Sequence, residues 1–489
     1  MLENLKSVSK DSAFYSVANL MNKIVGFILL PLYSTYFSIE EYGLLALFDT
    51  IIDFTILFSS IGIASAFKRW YWEDTNRQRQ NSVFSTVFLF SVGSAVFFTG
   101  ILYFILHRYS YSMFSFHLTA RLLNIYLVSI VANVVMRRIF VLLQIQKLAS
   151  LNMVYNIIRA TFTCLSTVVL IAHYKMGIES VFLARIIGIT ITVIALSPRI
   201  MKNLNFRIDF KLLKEMLLFS YPLAISGSIS LIFTLSDRWL LKSMGNLQDV
   251  GQYSLAYRVT NLIKFLVINS FLQAYVFTFF QKMHDPEQYN FFKKIVTYFA
   301  LAVMGIGLIL VGYSREVIML LAKSEEYQAA YTIIPILLIA LLFSGLRQIL
   351  VLPFYKYKQT KFISMITVIA GLLNIGLNFI MIPYWKSYGA AAATAIAHIF
   401  VVIAYFYRGK RFAEFSYETG RFFKILIPGL LYIIIINYLN SIAYIPGILA
   451  KTLLLLSFPW VLYLIGFFAD KEITIIKSYL TKPFRKKIL

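Results

Sequence analysis

Arg258, Asn261 and Lys264 stand at helical spacing inside an apolar run. At about 100° per residue they share an arc of roughly 140° with Ser254, Tyr257 and Asn269, while Leu255, Val259, Leu262 and Leu266 lie opposite. Lys23, Arg159, Arg185 and Arg347 are embedded in apolar stretches in the same way. Against these six cations stand only Asp49 and Asp53 within apolar stretches, with Asp237 expected at a helix end beside Arg238. Each cation at mid-bilayer costs about 2.5–3.5 kcal/mol on insertion scales, so an excess of about four implies a use beyond packing. For Arg185 and Arg347 the competing reading is snorkelling to a membrane face.

Polar residues repeat at helical spacing elsewhere. Tyr15, Asn19, Asn22, Lys23, Gly26 and Tyr33 share one face, as do Asn152, Asn156, Arg159, Thr163 and Ser166, and again Thr367, Gly371, Asn374 and Asn378. Such stripes mark the side of a helix turned away from lipid. For a single Asn or Thr, interhelical hydrogen bonding is the favoured reading. Taken with the cations, Asn19, Asn22, Asn156, Asn261, Asn374 and Asn378 are expected to line a polar cavity. Asp49 and Asp53, one turn apart, fit buried pairing with nearby cations, or a proton- or cation-sensitive element, better than acid–base catalysis. Asp237 with Arg238 falls in the same class of coupling or pairing groups. His398, alone in an Ala-rich segment, reads as a satisfied interior histidine, with a proton relay as the alternative.

Other chemistry is absent from the sequence. The five His show no metal spacing, and there is no phosphate-binding GxxxxGK[ST] or dinucleotide motif, so neither a cofactor nor an ATP motor is expected. The one cysteine, Cys164, excludes a disulfide framework.

The elements that position these groups are membrane helices. Of 489 residues 59% are hydrophobic and 14% charged, far from a soluble domain and apt for an all-α polytopic membrane protein. A window of about 20 residues yields about fourteen spans: 12–37, 44–66, 83–106, 120–142, 152–172, 178–198, 217–241, 251–280, 294–313, 330–353, 362–383, 388–407, 425–440 and 448–469. The apolar start is too long for a signal peptide and reads as an uncleaved first span. The net charge of +24 would suggest nucleic acid in a soluble protein, but here it sits mainly in short connections and no nucleic-acid partner is expected. One set of connections, with Arg137, Arg138 and Lys147 among them, carries thirty-one of the 46 cations; the other, including Arg315 and Lys451, carries nine. The positive-inside rule then places both termini in the cytoplasm.

Ile39–Asp49 resembles Gln248–Arg258, each running from an acid through Gly43 or Gly251 into a long apolar helix, and Gly177–Ala184 can be laid on Gly389–Ile396. The offsets nearly agree, which suggests two halves of about 210 residues, an arrangement common in transporters. The expected units are 1–214 and 215–424, followed by 425–489 with two further spans and a basic tail.

Three stretches carry a family likeness: LLPLYSTYFSIEEYGLLALFDTI (29–51), SAFKRWYWED (65–74) and SDRWLLKSMGNLQDVGQYSLAYRV (236–259). Through them, and through the fourteen-span layout, the chain resembles the Wzx-type flippases of the polysaccharide-exporter branch of the multidrug/oligosaccharidyl-lipid/polysaccharide superfamily. The resemblance implies two six-helix bundles related by a pseudo-two-fold around a central cavity, plus two C-terminal helices. It implies movement of an undecaprenyl-diphosphate-linked oligosaccharide, such as an O-antigen precursor, from the cytoplasmic to the outer leaflet of a bacterial cytoplasmic (inner) membrane. Alternating access, coupling to a H+ or Na+ gradient, and other polysaccharide assembly proteins as partners are implied with it. A diphosphate carries about two negative charges, which Arg grips with a planar fork and Lys meets as a point charge. Arg258, Lys23, Lys264, Arg159 and Arg347 are the residues expected in that role. A multidrug exporter of the same fold would meet a lumen of the wrong sign for organic cations. A lipid II exporter shares the anionic cargo and stays open. From another class, a membrane glycosyltransferase or polysaccharide polymerase would be expected to show a large external loop or an acidic motif.

Overall fold

The computed structural model describes residues 14, 21, 25–74, 76–115, 118–282, 285, 289–322, 324–411, 417–440, 444–470 and 472–474. Among these every regular element is helical. In order they are α1 (Leu30–Tyr36), α2 (Ile39–Ser60), α3 (Ile63–Trp70), α4 (Arg77–Phe114), α5 (Ala120–Ile145), α6 (Ala149–Val168) and α7 (Glu179–Asn203). Then come α8 (Phe210–Met244), α9 (Leu247–Ile263), α10 (Ser270–Lys282), α11 (Tyr289–Gly312), α12 (Ser314–Leu321) and α13 (Glu325–Gln328). The last are α14 (Ile334–Leu350), α15 (Leu352–Lys356), α16 (Thr360–Gly409), α17 (Thr419–Leu439) and α18 (Tyr444–Leu464). Two π-helical turns, Val169–His173 and Lys264–Asn269, extend α6 and join α9 to α10.

Eleven helices among the described residues are long and apolar enough to cross a membrane, and Val25–Tyr36 adds a shorter apolar one. The protein is therefore an all-α polytopic membrane protein. The fifty residues of α16 hold two of the expected spans, joined at Lys386, whose φ of 46° and ψ of −125° are non-helical. The expected span 44–66 is corrected: it breaks where Ile61 and Gly62 both take positive φ, 43° and 67°. A Cβ on Gly62 would lie 2.8 Å from the Ser220 carbonyl oxygen, so the break also needs a residue without one.

The chain divides into two compact units. The first comprises Met1–Leu255, Met319–Ala329 and Asn374–Ala390. Here α2 starts on a capping box: the Ser38 hydroxyl accepts from the Glu41 amide at 3.2 Å and the Glu41 carboxylate from the Ser38 amide at 2.9 Å. That start crosses the start of α9 with almost no space between backbones. A Cβ on Gly43 would strike the Leu247 carbonyl oxygen and lie 2.9 Å from the Gly251 nitrogen; one on Gly251 would strike the Ile39 carbonyl oxygen. Tyr327 closes over the same place, its hydroxyl donating to the Phe37 and Ser38 carbonyls at 3.2 and 3.1 Å. The apolar core of this unit gathers Ile63, Phe67, Phe84, Met136, Leu142 and Met216.

The second unit comprises Ala256–Ile318, Ala330–Leu373 and Ala391–Leu489. Gly345 on α14 admits the Phe299 ring of α11, and Gly429 on α17 admits Met304. Buried Lys451 of α18 (1% exposed) pairs with Glu316 of α12 at 2.5 Å and donates to the Asn440 side chain at 2.9 Å. At the other end, Arg421 donates to Glu418 at 3.1 Å and to Glu472 at 2.6 Å. Burial disfavours the Glu472 anion, but donors from Tyr298, the Ala469 amide and Arg421 outweigh it and keep the carboxyl below its ordinary range.

Candidate functional site

In the first unit an aromatic platform fixes the polar face of α2. Phe48 packs on Tyr126 of α5 and Phe182 of α7, with ring centroids 4.6 and 5.5 Å apart, and the Tyr126 hydroxyl donates to the Phe48 carbonyl at 3.0 Å. Asp49, the next residue, receives a two-pronged contact from Arg185 of α7, at 2.6 and 3.3 Å. One turn on, Asp53 accepts from Arg137 of α5 at 3.0 Å. Both pairs are partly exposed, with side chains 28–54% accessible. On α6, Arg159 donates to Asn156 at 3.2 Å and lies over the Phe140 ring at 5.4 Å. Its charge is within reach of both Arg137 and Arg185. Gly188 makes this possible: a Cβ there would strike the Thr163 hydroxyl and lie 2.9 Å from the Arg159 carbonyl, so α6 and α7 meet where the two arginines emerge.

Asp237 is buried, at 3% exposure, and lies two turns inside α8 rather than at a helix end as expected. Its carboxylate accepts from the Tyr253 hydroxyl and from the Asn378 amide, each at 2.8 Å. Asn378 also donates to the Asn374 carbonyl oxygen at 3.2 Å, and both asparagines are fully buried. Arg238 donates to Ser254 at 3.2 Å.

In the second unit the stripe on α9 opens onto a small cavity of about 30 Å³, walled by Tyr257, Thr260, Asn261 and Lys264, by Leu337, Ala340, Leu341 and Ser344 of α14, and by Thr394 and His398 of α16. That is space for about one water molecule. None of the described residues lining it is acidic. Arg347 follows Ser344 by one turn on α14, and the charges of Arg347 and Lys264 both reach the His398 imidazole. Arg258, half-buried, follows Tyr257 on α9.

The structure thus brings Lys264, Arg347, Asn261 and His398 together in one unit, and Asp49, Asp53, Asn156 and Arg159 in the other. Lys23, Asn19 and Asn22 lie outside the described residues. Arg185 pairs with Asp49, the kind of pairing with a nearby cation expected of that carboxylate. Two expectations are corrected. Arg137 and Arg138, read as part of a connection, lie within α5; Arg138 is 3% exposed and donates to the Ser60 hydroxyl. Lys451, also read as part of a connection, is buried in α18. Sequence reasoning missed Arg137 because its partner Asp53 lies 84 residues earlier, on another helix.

The sequence profile of the polysaccharide biosynthesis protein family matches residues 8–284, and that of the lipid II flippase MurJ matches residues 323–464. Among solved structures, lipid II flippase MurJ in an inward closed conformation superposes with a TM-score of 0.73 at 20% identity, covering 92% of this chain and 98% of the other. An inward-facing MATE family transporter of the MOP superfamily gives 0.63 at 14% identity, over 82% and 95%. A MOP superfamily transporter from Pyrococcus furiosus, described as having a binding pocket of reversed polarity, gives 0.59 at 15% identity, over 88% and 96%. At these identities the likeness is one of fold. No individually curated protein matches.

Proposed function

The chain belongs to the polysaccharide biosynthesis protein family, and on that premise we propose that it is a flippase for an undecaprenyl-diphosphate-linked oligosaccharide. It moves this cargo from the cytoplasmic to the outer leaflet of a bacterial cytoplasmic membrane, by alternating access through a cationic cavity. Both termini lie on the cytoplasmic side in this reading, which the excess of Lys and Arg in one set of connections supports.

One observation carries the cargo assignment. Lys264 lines a small cavity with Tyr257, Asn261 and His398, its other walls partly apolar and none of its described lining residues acidic, and Arg347 is near enough for its charge to reach His398. Cations so placed are costly unless an anion visits them. Organic cations would be repelled, which argues against multidrug export. Arg258, Arg159 and Lys23 are the other residues expected from the sequence to meet the diphosphate. Asn156, Asn261 and tyrosines such as Tyr257 meet the sugars. Asp237, held by Tyr253 and Asn378, is the first choice among coupling groups for H+ or Na+, ahead of Asp49, Asp53 and His398.

A lipid II exporter is the second reading, and the MurJ profile over residues 323–464 favours it. A glycosyltransferase or polymerase would be expected to present an acidic motif, and none of the described residues lining the cavity beside Lys264 is acidic. The test is flipping of a labelled undecaprenyl-diphosphate sugar in proteoliposomes with no sugar donor present. Movement without a new product supports the flippase. A product made only when donor is added, or transfer of lipid II alone, overturns it in favour of the enzyme or the lipid II exporter respectively.

A further inference from the structure

Asp49 and Asp53 stand one turn apart on α2, and each engages an arginine from a different helix, Arg185 of α7 and Arg137 of α5. A third guanidinium, Arg159 of α6, is close enough for its charge to bear on both. The groups on the two carboxylates are therefore Arg185 and Arg137, with Tyr126 of α5 beside them and Arg159 near both arginines.

These pairs are not sealed in the core. The side chains of Arg137 and Asp53 are 54% and 43% accessible, those of Arg185 and Asp49 28% and 37%. Charged pairs at that exposure on membrane helices belong beside water or a polar cargo, since lipid would not tolerate them. Their position is also built with care. The Phe48–Tyr126–Phe182 platform fixes α2 on α5 and α7, and Gly188 draws α6 onto α7 beside Arg159 and Arg185.

A carboxylate and a phosphate edge present the same pair of acceptors to a guanidinium fork, so one can replace the other. From this we infer that Asp49 and Asp53 are built-in competitors for the cargo's diphosphate. They occupy Arg185 and Arg137 when the protein is empty and release them when a diphosphate enters the site formed by Arg137, Arg159 and Arg185. The inference rests on the flippase reading and adds residues and a regulation to it. Three uncompensated arginines in a low-dielectric site would hold a diphosphate too firmly to let it go. Two carboxylates that reclaim their forks weaken the bound state and speed release. The exchange makes and breaks ion pairs only, and no covalent step is involved.

The test uses the full chain in nanodiscs, with undecaprenyl diphosphate and inorganic pyrophosphate as separate probes. Asp49→Asn and Asp53→Asn are expected to bind undecaprenyl diphosphate about tenfold more tightly and to flip the glycolipid more slowly. Asp49→Glu should restore affinity toward the wild-type value. If the pairs only brace the helices, both Asn variants will bind no better than wild type, and the inference fails. Should the Asn variants not fold, Arg137→Lys and Arg185→Lys keep the charge and lose the fork. They are expected to weaken both probes about tenfold, and unchanged affinity overturns the inference. Tighter binding of undecaprenyl diphosphate with pyrophosphate unchanged would show that the lipid, not the diphosphate, is what the carboxylates oppose, and also overturns it. Absence of undecaprenyl diphosphate binding by the wild type removes the flippase reading and the inference together, whereas wild-type binding with unresponsive variants removes the inference alone.

Discussion

Gly43 of α2 and Gly251 of α9 face each other across a crossing so close that a side chain on either would enter the other helix's backbone. They are the two glycines singled out when Ile39–Asp49 is compared with Gln248–Arg258. Steric exclusion of any Cβ is therefore a property of the pair.

Gly43→Ala and Gly251→Ala are each expected to lower stability by about 1–3 kcal/mol through overpacking, and to reduce glycan export. Both substitutions are relieved by the same separation of α2 from α9, so the double variant should cost clearly less than the sum. A double-mutant cycle on thermal unfolding checks this, and strict additivity would contradict it.

Arg258→Ala and Lys23→Ala are expected to abolish export while the protein remains in the membrane at its normal level. Arg258→Lys should retain part of the activity, because the charge stays and the planar fork is lost. Complementation of a flippase-deficient strain, with membrane immunoblots, measures both. Full export by the Ala variants would rule out a cargo role for these residues.

Breaking the buried pair between Lys451 and Glu316 should be more harmful than removing it. Lys451→Met leaves a carboxylate facing an apolar neighbour and is expected to cost about 3–5 kcal/mol. Adding Glu316→Gln should recover a substantial part of that loss. Thermal midpoints of the single and double variants in one detergent decide it.

The contribution of Glu472 depends on pH in a definite sense. Its folded carboxyl ionises below the ordinary value of 4.5, so the stabilisation it confers is complete above that value and is lost as pH falls through the folded pKa. Glu472→Gln should therefore be less stable than wild type at neutral pH, by about 1 kcal/mol or less, given its partial exposure. The two midpoints should converge in acid. A gap that widened on acidification would contradict the assignment.

The helices were legible in the sequence because an 18–25-residue apolar run in a bilayer has one way to satisfy its backbone. The stripe of Tyr257, Asn261 and Lys264 was legible for the same reason, since its period is that of a straight helix, and these residues do wall one cavity. Partnerships were not legible. Arg138 and Ser60 are 78 residues apart in sequence, and Arg185 and Asp49 are 136 apart, so no local window relates them. Charge counting along the chain therefore left open which cation Asp49 compensates, and misplaced Arg137 and Arg138. The break at Ile61 and Gly62 escaped notice because the apolar run continues through it.

The π turn at Lys264–Asn269 holds one residue more than an α turn would. Everything beyond it is offset by about a third of a revolution, roughly 100°. The aromatic row of Phe271, Tyr275 and Phe279 thus points where straight extrapolation from Ser254 would not put it. Losing one codon anywhere in this turn would scarcely shorten the rod, but would swing that row to a different azimuth. A one-residue gap here in any sister chain signals a change of facing and not of reach.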